Sequence, residues 1–352
     1  MSRLTANGFV VLAMTACVQF AAAESYSFGT GIGMSCGCGT AEAYCGADAG
    51  GCGNAGCGCE SSGCGCGNGG CLSGLLGDSC GAGSCLTSLF QPSDHCFDDF
   101  ISPITNPVFF EDPRTLTEAR FIFINHHVPA ALGGHSADLF ALQVRAALTE
   151  DLSIIATKDG FVTSDNPLIR DGWADIAAGL KLNVYKDAAS QTLLSIGGTY
   201  EMPVGTPRTL QGNGDGEFHL FATGGTEFLD DTHWISGSGF RLPVDTNAES
   251  TVWYWSNHVD RKLGNSGFYL LGEANWYHWI DGGTAFPVAV EGLDLFNLGS
   301  IGVGGNDIVT AAIGLKYKPS ANMEIGFAWE APLTDRRDIL DDRYTIDWIF
   351  RY

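Results

Sequence analysis

The chain has 352 residues, of which 48 are Gly, and its 40 Asp and Glu against 18 Lys and Arg give a formal net charge of -22. This acidic balance argues against nucleic acid as a partner, because the phosphates would be repelled. Charged residues form only 16% of the chain and aromatic residues 11%, which excludes disorder throughout. The length fits one large domain with an appendage.

The first 23 residues have the features of a secretory signal peptide. Arg3 supplies the positive charge, Gly8–Phe20 is an apolar stretch too short for a comfortable transmembrane helix, and three alanines at 21–23 provide a cleavage site. The mature chain is therefore expected to begin near Glu24. Cys17 leaves lipidation as an alternative, although the residues before it fit a lipoprotein signal poorly.

Residues 24–91 form a Cys- and Gly-rich tract with too few large apolar residues for a core of its own. All 13 cysteines lie at or before Cys96, and loss of Cys17 with the signal peptide would leave an even number. An even number in an exported chain predicts disulfide bonds, whereas the Cys-Gly-Cys pairs leave metal binding or a flexible tract as alternatives. The pairing stays open. The candidate disulfide residues are Cys36, Cys38, Cys45, Cys52, Cys57, Cys59, Cys64, Cys66, Cys71, Cys80, Cys85 and Cys96.

Residues 92–118 differ from the tract before them, because four prolines and several phenylalanines are spread among polar residues. This Pro-rich connector has two interpretations. It is either a plug that docks beneath or inside the mouth of the following domain, or a linker with a hydrophobic anchor. The sequence does not separate the two.

From residue 119 to the last residue, twelve segments are predicted to be β-strands, most of them near the ~10 residues that cross a membrane when tilted. Short connections alternate with longer ones, and the connection at 280–306 is the longest and richest in Gly. The predicted strands are 119–128, 138–148, 152–158, 173–184, 191–202, 217–228, 233–242, 251–258, 267–279, 307–317, 321–331 and 343–352.

The last strand shows two distinct faces. Trp348, Phe350 and Tyr352 share an apolar face, whereas Asp347 and Arg351 lie on the opposite, polar face. Two-faced strands, an even strand number, sorted loop lengths and aromatic residues near strand ends predict a transmembrane antiparallel up-and-down β-barrel over residues 119–352. A soluble β-sandwich or adhesin is the alternative, but it gives no reason for short and long loops to alternate.

Polar residues on the inward face would line the lumen of this barrel, with acidic residues in excess. Twelve strands lie between a filled barrel and an open channel, so a narrow pore is expected, and 280–306 is the candidate constriction or lid. A salt-bridged polar core without a path is the alternative. The candidate lumen-lining residues are Arg145, Asp175, Lys181, Glu201, Glu217, His219, Glu227, Arg241, Glu273, Lys316, Glu324, Glu330, Asp347 and Arg351.

No catalytic, cofactor-binding or metal-binding residue is predicted in the barrel, and no cofactor is expected. Asn213–Glu217 begins like a calcium loop, but the twelfth position is Gly224 instead of Glu. His126 and His127 are adjacent in a strand and point to opposite faces, which disfavours a shared metal. Gly134–Asp138 lacks the pattern of a nucleophile elbow, so an enzyme is not supported.

The segments FDDFISP (97–103) and FEDPR (110–114), together with the Cys-rich tract and the barrel, resemble planctomycete-type outer-membrane barrel proteins. GGTYEMPVGT (197–206) followed by Gly212–Glu217 is similar to the strand–Leu-Pro-x-Gly–loop–strand signature of the phenol meta-cleavage-pathway outer-membrane transporter family. That resemblance implies a barrel for diffusion of small, often hydrophobic solutes. Met202 replaces the Leu, and the Cys-rich tract is foreign to the pattern, so the solute does not carry over.

The sequence thus predicts a passive channel or transporter for small solutes in the bacterial outer membrane, with the Cys-rich extension in the periplasm. Its expected partners are outer-membrane lipid and the solute, with covalent or homo-oligomeric contacts through the extension as a further expectation. The alternative function is a structural envelope anchor, in which a closed barrel holds a cross-linking Cys-rich region.

Overall fold

The two-residue periodicity of the sequence becomes a closed sheet in the computed structural model, which describes residues 90–352. Its fourteen strand segments are antiparallel to their neighbours. Within residues 90–352, no helix is both long enough and apolar enough to cross a membrane. The segments are β1 (Glu118–His127), β2 (Ser136–Ala147), β3 (Leu152–Lys158), β4 (Phe161–Ser164), β5 (Gly172–Trp173), β6 (Ile176–Asp187), β7 (Thr192–Met202), β8 (Glu217–Leu229), β9 (Thr232–Pro243), β10 (Thr251–Lys262), β11 (Phe268–Asp281), β12 (Asp307–Ser320), β13 (Met323–Pro332) and β14 (Asp342–Arg351).

The first and last strands close the barrel. β1 pairs with β14 from Glu118 opposite Arg351 to His127 opposite Asp342, and β1 also pairs with β2. β3 and β4 both pair with β2. On their other side, β3 pairs with β6 and β4 pairs with β5. β3 with β4, and β5 with β6, therefore each form one wall strand, and the barrel has the twelve strands that the sequence predicts.

The connections alternate in length around the barrel, as the sequence predicts. The short turns are 148–151, 188–191, 230–231, 263–267 and 321–322, and the long loops are 128–135, 165–171, 203–216, 244–250, 282–306 and 333–341. Several strand ends differ from the prediction by one to four residues, as in β12, which ends at Ser320 instead of 317. β4 and the first residue of β5 lie in the predicted loop 159–172, and β10 runs four residues beyond the predicted end at 258.

The wall has an apolar outer face and a largely polar inner face. In β14, the side chain of Trp348 is 46% exposed, whereas that of the adjacent Asp347 is 0% exposed. The same alternation recurs in β8 and β13. Because apolar side chains on the outside of a barrel are stable against lipid and costly against water, the described residues have the architecture of an outer-membrane β-barrel.

Two segments outside the wall fill the barrel. Every residue from 100 to 116, before β1, is buried, and so is every residue from 291 to 300, in the loop between β11 and β12. The two segments meet in one apolar cluster, where Val108 and Phe109 pack with Leu293, Leu295 and Phe296. We call residues 100–116 the inner segment and residues 291–300 the inner loop.

Candidate functional site in the barrel interior

The predicted lumen-lining residues lie on the inner wall, with one exception. Of the fourteen, all but Glu227 are buried. Glu227 lies at the β8–β9 turn, where its Oε1 accepts a hydrogen bond from the backbone N–H of Asp231 at 3.1 Å. Its side chain is half-buried because it lies near the end of β8, next to a bulge between Glu227 and Leu229.

Glu111 of the inner segment is the centre of one charge cluster. Arg145 of β2 donates two hydrogen bonds to its carboxylate, from Nε and Nη2, at 2.6 Å each. Lys181 of β6 donates to Oε1 of the same carboxylate at 2.9 Å. Bidentate, charge-assisted hydrogen bonds are among the stronger polar contacts in proteins, so Glu111 is fixed by two separate parts of the wall.

A second cluster joins the inner segment to β12, β13 and β14. Arg351 donates to Glu118 at 2.8 Å, to Glu324 at 2.5 Å and to Ser102 Oγ at 2.9 Å. Lys316 lies 3.2 Å from Glu324 and donates to the backbone oxygen of Ser102 at 2.7 Å. The predicted lining residues Lys316, Glu324 and Arg351 are thus brought together around Ser102.

Asp347, another predicted lining residue, belongs to the same part of the wall. Its carboxylate lies 3.0 Å from Lys316 and 2.9 Å from Arg120 of β1. Arg120 in turn donates to the backbone oxygen of Pro103 at 2.7 Å. The inner segment therefore contacts charged side chains from both sides of the seam that closes the barrel.

Glu273 of β11 holds the backbone of the inner segment directly. Its two carboxylate oxygens accept hydrogen bonds from the backbone N–H groups of Ile104 at 2.7 Å and Thr105 at 2.6 Å. His258 lies 2.7 Å from Glu273 and 3.0 Å from Asp260. A buried carboxylate is costly unless it is paired, and here backbone donors and an imidazole supply the partners.

Wall side chains also satisfy the carbonyl groups of the inner segment. Gln143 donates to Pro107 O at 2.7 Å. Tyr254 donates to Phe109 O at 2.8 Å. Ser195 donates to Pro113 O at 2.6 Å. The inner segment has no strand partner, so these contacts take the role that ladder hydrogen bonds have elsewhere.

Three further predicted residues, Glu217, Arg241 and Glu330, take part in holding the inner loop. Arg241 pairs with Glu217 at 2.5 Å and donates to the backbone oxygen of Leu293 at 2.8 Å. Arg343 pairs with Glu330 at 2.5 Å and with Asp294 of the inner loop at 2.6 Å. The predicted constriction at 280–306 therefore includes a stretch that lies inside the barrel.

Lys158 and Glu201 form a wall pair at 2.5 Å. Asp175 accepts hydrogen bonds from the backbone of Gly205 and Gly212, and His219 contacts the hydroxyl of Tyr254 at 2.8 Å. These residues are buried but have no hydrogen bond to the inner segment among the described contacts. The predicted lining residues therefore share one inner wall but belong to several separate clusters.

Sequence reasoning missed several charged residues of the inner wall. Arg120, Lys158, Lys318 and Arg343 are buried there and add positive charge, whereas Glu118 and Asp260 add negative charge, so the missed residues reduce the acidic excess that the prediction gives the lumen. The signal was the spacing of two from neighbouring inward residues, for instance Arg343 from Thr345. We attribute the misses in β1 to its mixed apolar character on both faces.

Other sequence features lie apart from this interior site. His126 is buried and contacts Ile339 O, whereas His127 is on the outer side beside Asp342, so the two point in opposite directions as predicted. Among residues 90–352, no group of three or more His, Cys, Asp and Glu side chains could hold a metal ion.

Of the candidate disulfide residues, only Cys96 lies among the described residues. It is half-buried against a cluster that includes Phe97, Phe100 and Ile235. The other candidate cysteines, the signal peptide and nearly all of the Cys-rich tract lie outside the described residues, so their disulfide, metal and processing assignments stay predictions.

No family model and no curated protein matches this chain. Among solved structures, the chain is similar to the NanC porin, at 12% identity and a TM-score of 0.44, over 67% of this chain and 100% of the porin. It is also similar to an outer-membrane channel from Pseudomonas putida F1, at 10% identity and a TM-score of 0.49, over 72% of this chain and 100% of that chain. The CymD monoaromatic hydrocarbon channel matches at 9% identity and a TM-score of 0.35, over 67% and 88% of the two chains.

Proposed function

We propose that this protein is an outer-membrane channel for small solutes, whose lumen is closed by its own inner segment and inner loop. The observation that supports the proposal is the polar and charged nature of the contacts that close the lumen. The inner segment is held by charged and hydrogen-bonding side chains of the wall, among them Arg145, Lys181, Glu273 and Arg351.

A wall of this kind supports reversible closure. A barrel interior that is closed permanently can be stabilised by apolar side chains, which need no hydrogen-bond or charge partners. Here the wall charges also pair with one another, as Arg351 does with Glu118 and Lys158 with Glu201. When the inner segment leaves, water can solvate the freed groups, and a polar, hydrated passage remains.

The path of the chain supports a periplasmic extension. Gln91 bridges to Ala147 beside the short turn 148–151, and the N–H of Ser93 donates to Tyr352 O at 2.6 Å. The inner segment therefore enters from the side of the short turns, which face the periplasm in barrels of this class. We place the Cys-rich tract there as a disulfide-linked domain. The specific resemblance to the phenol-pathway transporter family stays a prediction, and no enzymatic role is proposed.

The test is single-channel conductance of the full-length protein in planar lipid bilayers. Glu111→Gln keeps the size of the side chain but removes the charge that Arg145 and Lys181 share. Because breaking a buried ion pair costs about 3–5 kcal/mol, the variant should open far more often than the wild type.

Glu201→Gln is the matched control, since Glu201 is equally buried but pairs with Lys158 of the wall instead of the inner segment. It should leave the open probability near that of the wild type. Suppose that neither the wild type nor Glu111→Gln gives conductance steps under any salt, although both proteins migrate as folded barrels. The proposed channel function would then be refuted, and the alternative of a structural envelope anchor would be supported.

A further inference from the structure

Lys181 differs from the other buried cations of the barrel wall in its acidic partner. Among the described residues, every other buried Lys or Arg of the wall strands forms an ion pair with a wall carboxylate, as Lys158 does with Glu201 at 2.5 Å. The acidic partner of Lys181 is Glu111 of the inner segment, at 2.9 Å. Lys181 would therefore lose its counter-charge if the inner segment left the lumen, whereas the other cations would keep theirs.

Arg145 holds the same carboxylate from the neighbouring part of the wall. Its Nε and Nη2 each donate to one oxygen of Glu111 at 2.6 Å, and its Nη1 lies 3.1 Å from Glu118 of the wall. Departure of Glu111 would leave Arg145 and Lys181 with an excess of positive charge. A guanidinium fork with an adjacent ammonium group matches the two oxygens of a planar carboxylate, which a spherical ion such as chloride does not offer.

The wall next to this pair presents further hydrogen-bond donors. Thr223 Oγ1 donates to Glu111 O at 2.8 Å, and Ser195 Oγ donates to Pro113 O at 2.6 Å. Ser195 and Thr223 lie opposite each other on β7 and β8, and β7 pairs with β6, which carries Lys181. The inner segment supplies the oxygen atoms for these donors in the closed barrel, and an oxygen-bearing solute would supply them in its absence.

The far side of the barrel has the reverse polarity. There Glu273 of β11 accepts hydrogen bonds from the backbone N–H groups of Ile104 and Thr105. Lys316 of β12 keeps a wall carboxylate, that of Glu324, at 3.2 Å. An anion that enters the lumen therefore finds its unpaired donors on the side of β2, β6, β7 and β8.

We infer that Arg145 and Lys181 form a binding site for the carboxylate group of a small organic acid, and that Glu111 occupies this site in place of the solute while the lumen is closed. This inference rests on the proposed channel function and gives it a solute class, small carboxylate anions. A ligand that binds one of two states shifts the population towards that state, so the carboxylate should promote displacement of the inner segment.

Propionate is the probe, because it has the same carbon and oxygen atoms as a Glu side chain from Cβ outwards. The first measurement is hydrogen–deuterium exchange of the full-length wild type in lipid nanodiscs, in sodium propionate or in sodium chloride at equal ionic strength. Propionamide, which has nearly the same shape but no charge, is the second comparison. We expect peptides that cover residues 101–116 to exchange faster in propionate than in either comparison.

The second measurement is a ligand-detected NMR titration of Glu111→Ala, which removes the internal carboxylate. It should bind propionate more tightly than the wild type does, because the competitor is absent, and more tightly than it binds propionamide. Adding Lys181→Gln to this variant should weaken propionate binding by about tenfold or more, since one charged donor is lost.

The matched control adds Lys158→Gln and Glu201→Gln to Glu111→Ala. It also neutralises a buried lysine together with its acidic partner, but the pair is on another part of the wall, so propionate affinity should be kept. Folding of each variant is checked by its heat-modifiable migration on a detergent gel. If Glu111→Ala does not fold, the exchange comparison in the wild type alone decides.

Three results would overturn the carboxylate site. These are equal exchange of residues 101–116 in propionate and chloride, equal binding of propionate and propionamide by folded Glu111→Ala, and equal losses of affinity in the Lys181→Gln variant and the control. Conductance is measured separately. Propionate binding at this site without conductance would refute the proposed channel alone, and conductance with any of the three results would refute the carboxylate site alone.

Discussion

Individual side chains inside the barrel are stabilised as members of connected charge networks. Arg351 bridges Glu118 and Glu324, and Arg145 bridges Glu111 and Glu118. Removal of one partner from such a network leaves the other charge buried and unpaired, which is far more costly than the loss of a surface ion pair. Closure of the lumen is therefore sensitive to single charge-neutralising substitutions.

Glu249, in the long loop between β9 and β10, is an exception because it is buried and its Oε2 has no hydrogen-bond partner. Burial, with the nearby Glu217 carboxylate, raises its pKa from 4.5 to about 8. The folded chain therefore binds more protons than the unfolded chain between these pH values, and stability should fall as the pH rises through that window.

We predict that the temperature at which the folded band disappears on a detergent gel is lower at pH 9 than at pH 5, and that Glu249→Gln reduces this difference. Glu150→Gln, in an exposed short turn, is the control and should preserve the wild-type difference. An unchanged pH dependence in Glu249→Gln would show that another group is responsible.

At the level of elements, the twelve wall strands were predictable from the sequence. The break that divides two of them, into β3 with β4 and into β5 with β6, was not. Alternating side chains and sorted loop lengths are local signals, and they predict twelve wall strands. β4 has four residues and β5 has two, too few for a period to be recognised, and both lie among turn-forming residues such as Gly160 and Pro167. β4 forms because it pairs with β2, and β5 forms because it pairs with β4, and the local sequence reveals neither partner.

Gly160→Ala tests the break in the wall between β3 and β4, where Gly160 lies. The added Cβ meets Phe140 O at 2.5 Å and the φ of +121° is unfavourable for Ala, so we predict a loss of roughly 2–4 kcal/mol in folding free energy, measured by urea titration in lipid vesicles.

Gly264→Ala is the matched control. Gly264 also has a positive φ, of +57°, but nothing lies within 4 Å of its Cβ position, so only about 1 kcal/mol should be lost. Equal losses in the two variants would mean that the contact with Phe140 does not determine the geometry of the wall.

For the whole molecule, the apolar outer band and the filled interior have different origins in the sequence. The band follows from the two-residue period, and the barrel was therefore predictable. The filled interior depends on contacts such as that of Thr105 with Glu273, which are 168 residues apart. No local sequence pattern indicates such contacts, so the sequence does not distinguish a plug from a linker for residues 92–118.

The outer band predicts the effect of placing a charge in it. Phe327 lies in the middle of β13, opposite Leu315 and Ile346, and is 45% exposed. Phe327→Lys should lower the free energy of folding into lipid vesicles by about 2–4 kcal/mol, because a charge near the bilayer midplane is poorly solvated.

Ser320→Lys is the matched control, because Ser320 is the exposed last residue of β12. It places the same charge beside the short turn 321–322, where the headgroups begin, and should cost at most about 1 kcal/mol. A Phe327→Lys variant that folds as well as Ser320→Lys would contradict the position of the band.

The most direct measurement of the closed lumen is hydrogen–deuterium exchange of the full-length protein in nanodiscs. The amides of Ile104 and Thr105 donate to Glu273 inside the barrel. Peptides that cover residues 101–116 should therefore exchange as slowly as peptides from β11. Exchange as fast as that of the exposed turn 263–267 would show that the inner segment lies outside the barrel and would contradict a lumen closed by this segment.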